Sequence, residues 1–199
     1  MPKIDAPTVA EHRANVQARL VAAAESILRS GPTRQLTAGE VSKAAGIARN
    51  SIYRYVDSVD DLRVMVVDRY LPAWLEAVSA ALEAATAPED RVVAWVEANL
   101  QQAAGTGHGW LMEAARALVP SPSIEEAVAQ AHTGMRDSLT DAWQRLLGPS
   151  PDRVAIAAAL TVGILDAGFR QIDADRPTGL VVQMGVDAAR ALVAAFRQI

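Results

Sequence analysis

The chain has no cysteine and only three histidines among 199 residues, and these two scarcities remove whole classes of chemistry. Without cysteine there is no disulfide framework, no thiolate nucleophile and no cysteine metal site. None of the histidines, His12, His108 and His132, follows a Glu by three positions, so the Glu-x-x-His pairs of the four-helix carboxylate enzymes are missing. A histidine-based zinc site would need nearby partners that the spacing does not supply. No Gly-rich phosphate loop, nucleophile elbow or kinase signature occurs. The expectation is a protein without metal, without cofactor and without catalysis. Long apolar runs are scarce too. The start, MPKIDAPTVAEHR, lacks the apolar core of a signal peptide, and the longest nearly apolar run, Val154 to Leu165, is too short to span a bilayer. This predicts a cytoplasmic protein with no membrane partner.

What is present is a large apolar fraction, 51%, enough for a chain of this length to bury a real core. The apolar residues recur at helical spacing almost throughout, as in Val16, Leu20, Ala23, Ile27 and Leu28, and no sustained period-2 alternation competes with them. The fold class predicted is all-α. Helix starts are signposted by a hydroxyl residue with a carboxylate three positions on, each able to satisfy an amide of the first turn: Thr8 with Glu11, Thr37 with Glu40, Ser58 with Asp61, Thr86 with Glu89 and Ser123 with Glu126. Breaks at 30–34, 44–46, 56–58, 85–90, 105–109, 119–123, 148–152 and 173–179 divide the chain into about nine helices. The second and third are very short, near 37–44 and 48–54, and the helix starting near Ser58 carries the chain out of this small head.

Charge is distributed unevenly. Residues 1–69 hold ten Lys/Arg against eight Asp/Glu, net +2, while residues 70–199 hold nine against fifteen, net −6, which together give the −4 of the whole chain. A mildly basic head on an acidic body is the asymmetry of a nucleic-acid module joined to a part with another task. Two short helices joined by a turn containing Gly form a helix-turn-helix, whose second helix enters the DNA major groove. Gly46 supplies the left-handed turn, Ala45 lets the helices close, and Val41, Ile47 and Ile52 offer an inner face. On the third helix Arg49, Asn50 and Tyr53 fit an outer surface, with Ile52 and Val56 opposite. Arg pairs bidentately with guanine and Asn with adenine, so the two strongest base readers are adjacent. Two of the three tyrosines stand here, at 53 and 55, where a merely soluble surface would carry Lys or Glu.

Residues 13–69 resemble the DNA-binding head of the TetR family of bacterial transcription regulators. The resemblance is carried by LTAGEVSKAAGIARNSIYRYVDSVDDL, residues 36–62, with small-Gly-aliphatic at Ala45 to Ile47, aliphatic-Tyr-x-aromatic at Ile52 to Tyr55 and Ser-x-acid-x-Leu at Ser58 to Leu62. It implies an all-α homodimer with a carboxy-terminal effector domain, and release of double-stranded operator DNA when a small molecule binds. Carried over by position, Arg49 and Asn50 face bases, while Thr37, Ser51, Tyr53 and Tyr55 contact phosphates or hold the register. Two positions depart from the family pattern. Val59 stands where a Lys phosphate clamp is common, followed by Asp60 and Asp61, and Ala38 and Gly39 give the second helix little reach. Fewer phosphate contacts imply weaker, less salt-dependent binding unless Lys3, Arg13 or Arg54 compensates. The alternative is a helical small-molecule-binding protein with weak or lost DNA binding.

The expected division is a helix-turn-helix domain over 1–57 and a helical ligand-binding and dimerisation domain over 58–199. Trp95 and Trp110, flanking the GTGHG break, together with Met112, Met135 and His108, are the candidates for a partly apolar effector site; the same residue types also describe an ordinary helical core. His132 is a further candidate for ligand contact, with a solvated or capping role as the plainer reading. The last two helices, about 151–173 and 178–198, carry more apolar residues than one buried stripe needs, and Ala159, Gly163 and Ala167 repeat at i,i+4. They are expected to form an intersubunit four-helix bundle, which makes the operator a palindrome. Asp166, inside this apolar stretch, is expected to meet Arg170, a donor from the partner chain, or the ligand.

Overall fold

In a computed structural model, residues 9–31, 36–116 and 122–198 are described, the side chains of 9, 116 and 122–132 excepted. Among the described residues there are nine helices and no strand: α1 Val9–Arg29, α2 Ala38–Ala44, a 3-10 helix Arg49–Arg54, α3 Val59–Ala84, α4 Pro88–Thr106, α5 His108–Arg116, α6 Pro122–Leu147, α7 Pro151–Asp173 and α8 Thr178–Arg197. The all-α expectation holds, and six of the eight expected breaks fall between helices; those at 30–34 and 119–123 include residues outside the described ones. Residues 1–69 with 110–119 form one compact unit, and residues 70–109 with 120–199 a second, so α3 and α5 each pass from one to the other.

In the first unit α1 buries Val16, Leu20, Ala24 and Ile27 at 3.6-residue spacing and packs against α2, and Val41 of α2, Ile52 of the 3-10 helix and Leu62 and Val66 of α3 are fully buried as well. In the second unit α4 is the central element, packing against α6, α7 and α8. Val92, Val93, Trp95, Val96, Ala98, Asn99, Leu100 and Ala103 of α4 are all buried, which is why this helix shows no clean polar face. Leu100 is fully buried between Gly168 of α7 and Gly185 of α8, and a Cβ at either glycine would run into its side chain.

The helix starts follow two mechanisms rather than one. Thr37 Oγ1 accepts from the Glu40 amide at 3.2 Å. Ser58 and Asp61 form a reciprocal pair, Ser58 Oγ accepting from the Asp61 amide at 3.1 Å and Asp61 Oδ2 from the Ser58 amide at 2.8 Å. Thr86 does not cap: α4 begins at Pro88 with Ala87 before it and no side-chain cap, because proline in the first turn sets the helical φ and has no amide to satisfy. The expected pair at Thr8 and the side-chain contact at Ser123 lie outside the described residues.

By helix length and mean hydropathy, 1.3 for α7 and 1.4 for α8, both last helices would suffice to cross a membrane. The uninterrupted run Val154 to Leu165 understates this, because Asp166 is a single charge inside a longer apolar helix. Only one side of each is buried here, through Val154, Ala157, Thr161, Leu165, Gly168 and Ile172 of α7 and Gly185, Val186, Ala189 and Val193 of α8.

Candidate functional site

The turn between α2 and the 3-10 helix is built by backbone chemistry. Gly46 lies in the left-handed region, φ 68. Its amide donates to Lys43 O at 3.3 Å, and the Ile47 amide donates to Ser42 O at 3.0 Å. This paired closure satisfies the last carbonyls of α2 and requires the left-handed residue at its centre, which is a glycine's place. Val41 and Ala45 are buried as expected, while Ile47 is half-buried.

The third element differs from expectation. It is a 3-10 helix, Arg49–Arg54, not an α-helix. A six-residue segment cannot repay α-helix nucleation by its own hydrogen bonds, and the tighter i,i+3 bonding fits short pieces. The Ser51 amide donates to Ala48 O at 2.8 Å and the Tyr55 amide to Ile52 O at 2.9 Å. Ile52 is fully buried and Val56 nearly so, which anchors one side of the element. Arg49, Asn50, Tyr53 and Arg54 are exposed, Tyr53 at 58%, and Ser51 and Tyr55 are half-buried. Thr37 is exposed at the start of α2 with its hydroxyl engaged in the cap. A cleft of about 210 Å³ runs beside Tyr53, Arg54 and Tyr55 and is closed by Arg13 and Gln17 of α1 and by Asp61. Arg13 and Arg54, two of the cations expected to compensate, thus line the same cleft; Lys3 lies outside the described residues.

The acids after Val59 are engaged internally. Asp61 Oδ2 accepts from the amides of both Asp57, at 2.9 Å, and Ser58. Asp60 pairs with Arg63 at 3.2 Å. Their charge is spent on the helix start and a neighbouring cation, which moderates the repulsion of a nearby phosphate.

In the second unit a chain of hydrogen bonds threads the buried aromatics. Trp74 Nε1 donates to Asn99 Oδ1 at 2.8 Å, Asn99 Nδ2 to Trp95 O at 2.8 Å, Trp95 Nε1 to Ser138 Oγ at 3.2 Å, and Ser138 Oγ to Met135 O at 2.8 Å. Trp143 Nε1 donates to Thr161 Oγ1 at 3.0 Å in a separate pair. The network gives each indole N–H and the buried amide a partner, so no desolvated polar group in it is stranded. His108 Nδ1 lies 3.1 Å from Asp173 Oδ2, and its ring stacks on Phe169 with centroids 4.0 Å apart. Trp74 completes this cluster with its ring 6.5 Å from that of His108.

Of the expected effector residues, Trp95, Met135 and His108 belong to the second unit and Trp110 and Met112 to the first. Arg29 lies over the Trp110 ring at 4.3 Å, and Met112 is half-buried. Trp74, Asn99, Ser138, Phe169 and Asp173 join the second-unit cluster without having been singled out in sequence. Trp74 was visible as an aromatic, but nothing in local spacing tied it to an Asn 25 residues away. His132 falls among the residues whose side chains are not described.

The apolar surplus of α7 and α8 is outward. Ile156, Leu160, Leu180 and Met184 are 49–64% exposed, and Ala159, Gly163 and Ala167 are exposed on the same helices. A groove of about 470 Å³ runs between them, lined by Ile164, Ala167, Leu180, Val181, Met184 and Ala188 with Arg176 at its edge. Asp166 is exposed on this chain and forms no ion pair with Arg170, the first of the three partners expected for it.

The arrangement defines a class: a small helix-turn-helix unit joined to a larger all-α unit with an outward apolar helix pair. It is the fold of the TetR-family transcriptional regulators. No protein-family model and no curated protein matches the sequence; solved structures do. A putative transcriptional regulator from Pseudomonas aeruginosa PAO1 aligns with 98% of this chain and 95% of its own, at 16% identity and a TM-score of 0.73. A TetR-family transcriptional regulator from Streptomyces coelicolor aligns with 92% of this chain and 97% of its own, at 16% identity and a TM-score of 0.71. AibR, solved in complex with isovaleryl coenzyme A and operator DNA, aligns with 86% of this chain and 96% of its own, at 16% identity and a TM-score of 0.65.

Proposed function

We propose that this protein is a dimeric, ligand-responsive transcriptional regulator of the TetR family, a cytoplasmic repressor that binds a palindromic operator and leaves it when a small molecule binds. The observation that carries the reading is the 3-10 helix. Its Ile52 side is fully buried while Arg49, Asn50, Tyr53 and Arg54 stand free outside, which is how a reading helix must be mounted to enter a major groove. In this reading residues 1–57 meet DNA, Arg49 and Asn50 reading bases and Thr37, Ser51, Tyr53, Arg54 and Tyr55 meeting the backbone. Residues 58–199 hold effector and partner.

The exposed apolar helices α7 and α8 support dimerisation, since a face of this kind costs free energy in water unless another surface covers it. Small residues at 159, 163 and 167 allow close approach. For the effector site, Trp95, Met135 and His108 of the second unit favour a partly apolar ligand, while Trp110 and Met112 belong to the first unit and are the weaker candidates. The likeness to AibR, with its acyl-coenzyme A and operator, supports a fold able to hold both kinds of partner.

A helical ligand binder with weak DNA binding is the second reading, motivated by Val59 and the two acids beside it. Selection of bound duplexes from a random library at low salt tests both. Enrichment of a palindrome is the expected outcome; a library that stays random with folded, dimeric protein would overturn the regulator and favour the second reading.

A further inference from the structure

We infer that Trp74, Phe169 and Asp173 form a subsite for a planar cation that donates N–H bonds, an amidine or an imidazolium, and that the His108 side chain is its internal stand-in. All four residues belong to the second unit. Phe169 and Asp173 are one turn apart on α7 and so share a face, and His108 opens α5 directly after Gly107, the left-handed end of α4. The imidazole is surrounded as a bound ligand would be. Phe169 lies against its face, ring centroids 4.0 Å apart and planes 18° from parallel. Trp74 stands at the side, 6.5 Å away and tilted by 57°, and meets Phe169 edge to face at 6.2 Å. Asp173 Oδ2 is 3.1 Å from Nδ1. That carboxylate is placed by shape: a Cβ on Gly109 would come within 2.9 Å of Asp173 Oδ1 and 3.0 Å of its Cγ, so the close approach requires a glycine.

Each wall selects a property. An aromatic face with a second ring at an angle attracts a flat cation through the ring quadrupoles. A carboxylate only accepts, and its hydrogen bond is strongest to a charged donor. His108 is replaceable because so little holds it. It makes one hydrogen bond, and its Nε2 has none among the described residues. Glycines flank it at 107 and 109, so no neighbouring side chain confines the ring. Its side chain is 13% exposed and that of Asp173 33%, and rotation about its own side-chain bonds takes it to solvent. The walls stay behind, since the Trp74 N–H is fixed on Asn99 at 2.8 Å. The GTGHG run thereby has a use that neither the helix-turn-helix nor the apolar helix pair gives it. The inference deepens the proposed function by giving the effector a chemical class; it rests on that reading for the ligand's role and not for its place.

Calorimetric titration of the full chain with benzamidine, a planar amidinium on one ring, is the test, with benzoate as the anionic control of the same shape. Saturable binding of benzamidine and none of benzoate is expected. His108→Ala removes the internal competitor and should tighten benzamidine by about tenfold. Asp173→Asn keeps the size and an acceptor but not the charge, and should weaken benzamidine by about tenfold. Far-UV circular dichroism checks that each variant keeps its helices; if His108→Ala does not, His108→Gln, which cannot stack on Phe169, takes its place with the same expectation. No saturable binding, benzoate bound as tightly as benzamidine, unchanged or weaker affinity on losing the imidazole, or unchanged affinity in Asp173→Asn would each overturn the subsite. The titration needs no DNA. A duplex library that stays random would overturn the regulator and not the subsite, and a failed titration the subsite and not the regulator.

Discussion

Ser42 is a small anomaly with a clear consequence. It sits in α2, 1% exposed, and its hydroxyl has no hydrogen-bond partner among the described residues. An unsatisfied buried hydroxyl costs on the order of 1 kcal/mol or more. Ser42→Ala should therefore raise the thermal unfolding midpoint, and a fall would mean that the hydroxyl is satisfied after all. At the reading surface, Arg49→Ala should cost about 1–3 kcal/mol against its preferred base and relax sequence preference at that position, measured by competition binding with single-base operator variants. Unchanged preference would remove Arg49 from the reader. Val59→Lys should act differently, strengthening binding to every sequence and steepening the salt dependence by roughly one unit of slope.

Among the elements, the 3-10 helix Arg49–Arg54 holds the main lesson about legibility. Its position, its inner residue Ile52 and its flanking glycine turn were readable because each depends on local chemistry. That it is a 3-10 helix was not, because the choice between i,i+3 and i,i+4 bonding in six residues depends on how Ile52 and Val56 are buried, which local spacing does not show. The same division applies to the caps. Ser58 and Thr37 cap as their spacing predicts, whereas Pro88 takes over the start that Thr86 was expected to make. Within the second unit the contact of α4 with α7 and α8 turns on Leu100 between two glycines. Gly185→Val should lower the denaturant midpoint by an amount corresponding to about 1–3 kcal/mol, the usual cost of overfilling a close-packed core. Gly163 offers a contrast, since a Cβ there meets nothing within 4 Å. Gly163→Ala should leave the fold as stable or more so, by up to about 1 kcal/mol from helix propensity.

For the molecule as a whole, the proposed assembly rests on the outward faces of α7 and α8. Met184, 64% exposed, is the point to attack. Met184→Glu should halve the mass in analytical ultracentrifugation without loss of helical content, and should weaken binding to a palindromic duplex far more than to one half-site. A variant that remains dimeric would place the interface elsewhere. The acidic balance of the body and the mildly basic balance of the head agree with the proposed division of tasks, in which phosphate neutralisation would fall to the amino-terminal third.

How much was legible follows from the range of the interactions concerned. Periodicity, caps and breaks are set by residues a few positions apart, so the all-α class, the order of helices and the helix-turn-helix could be read directly from the chain. The exposure of Arg49, Asn50 and Tyr53 followed from their spacing relative to Ile52. Only the tertiary structure could bring Trp74 to Asn99, seat Leu100 between Gly168 and Gly185, stack His108 on Phe169 beside Asp173, or leave Asp166 apart from Arg170. Those pairings join residues on different helices, or depend on which side of a helix the core occupies, and the free energy that selects them comes from burying surfaces together. No local pattern contains that term.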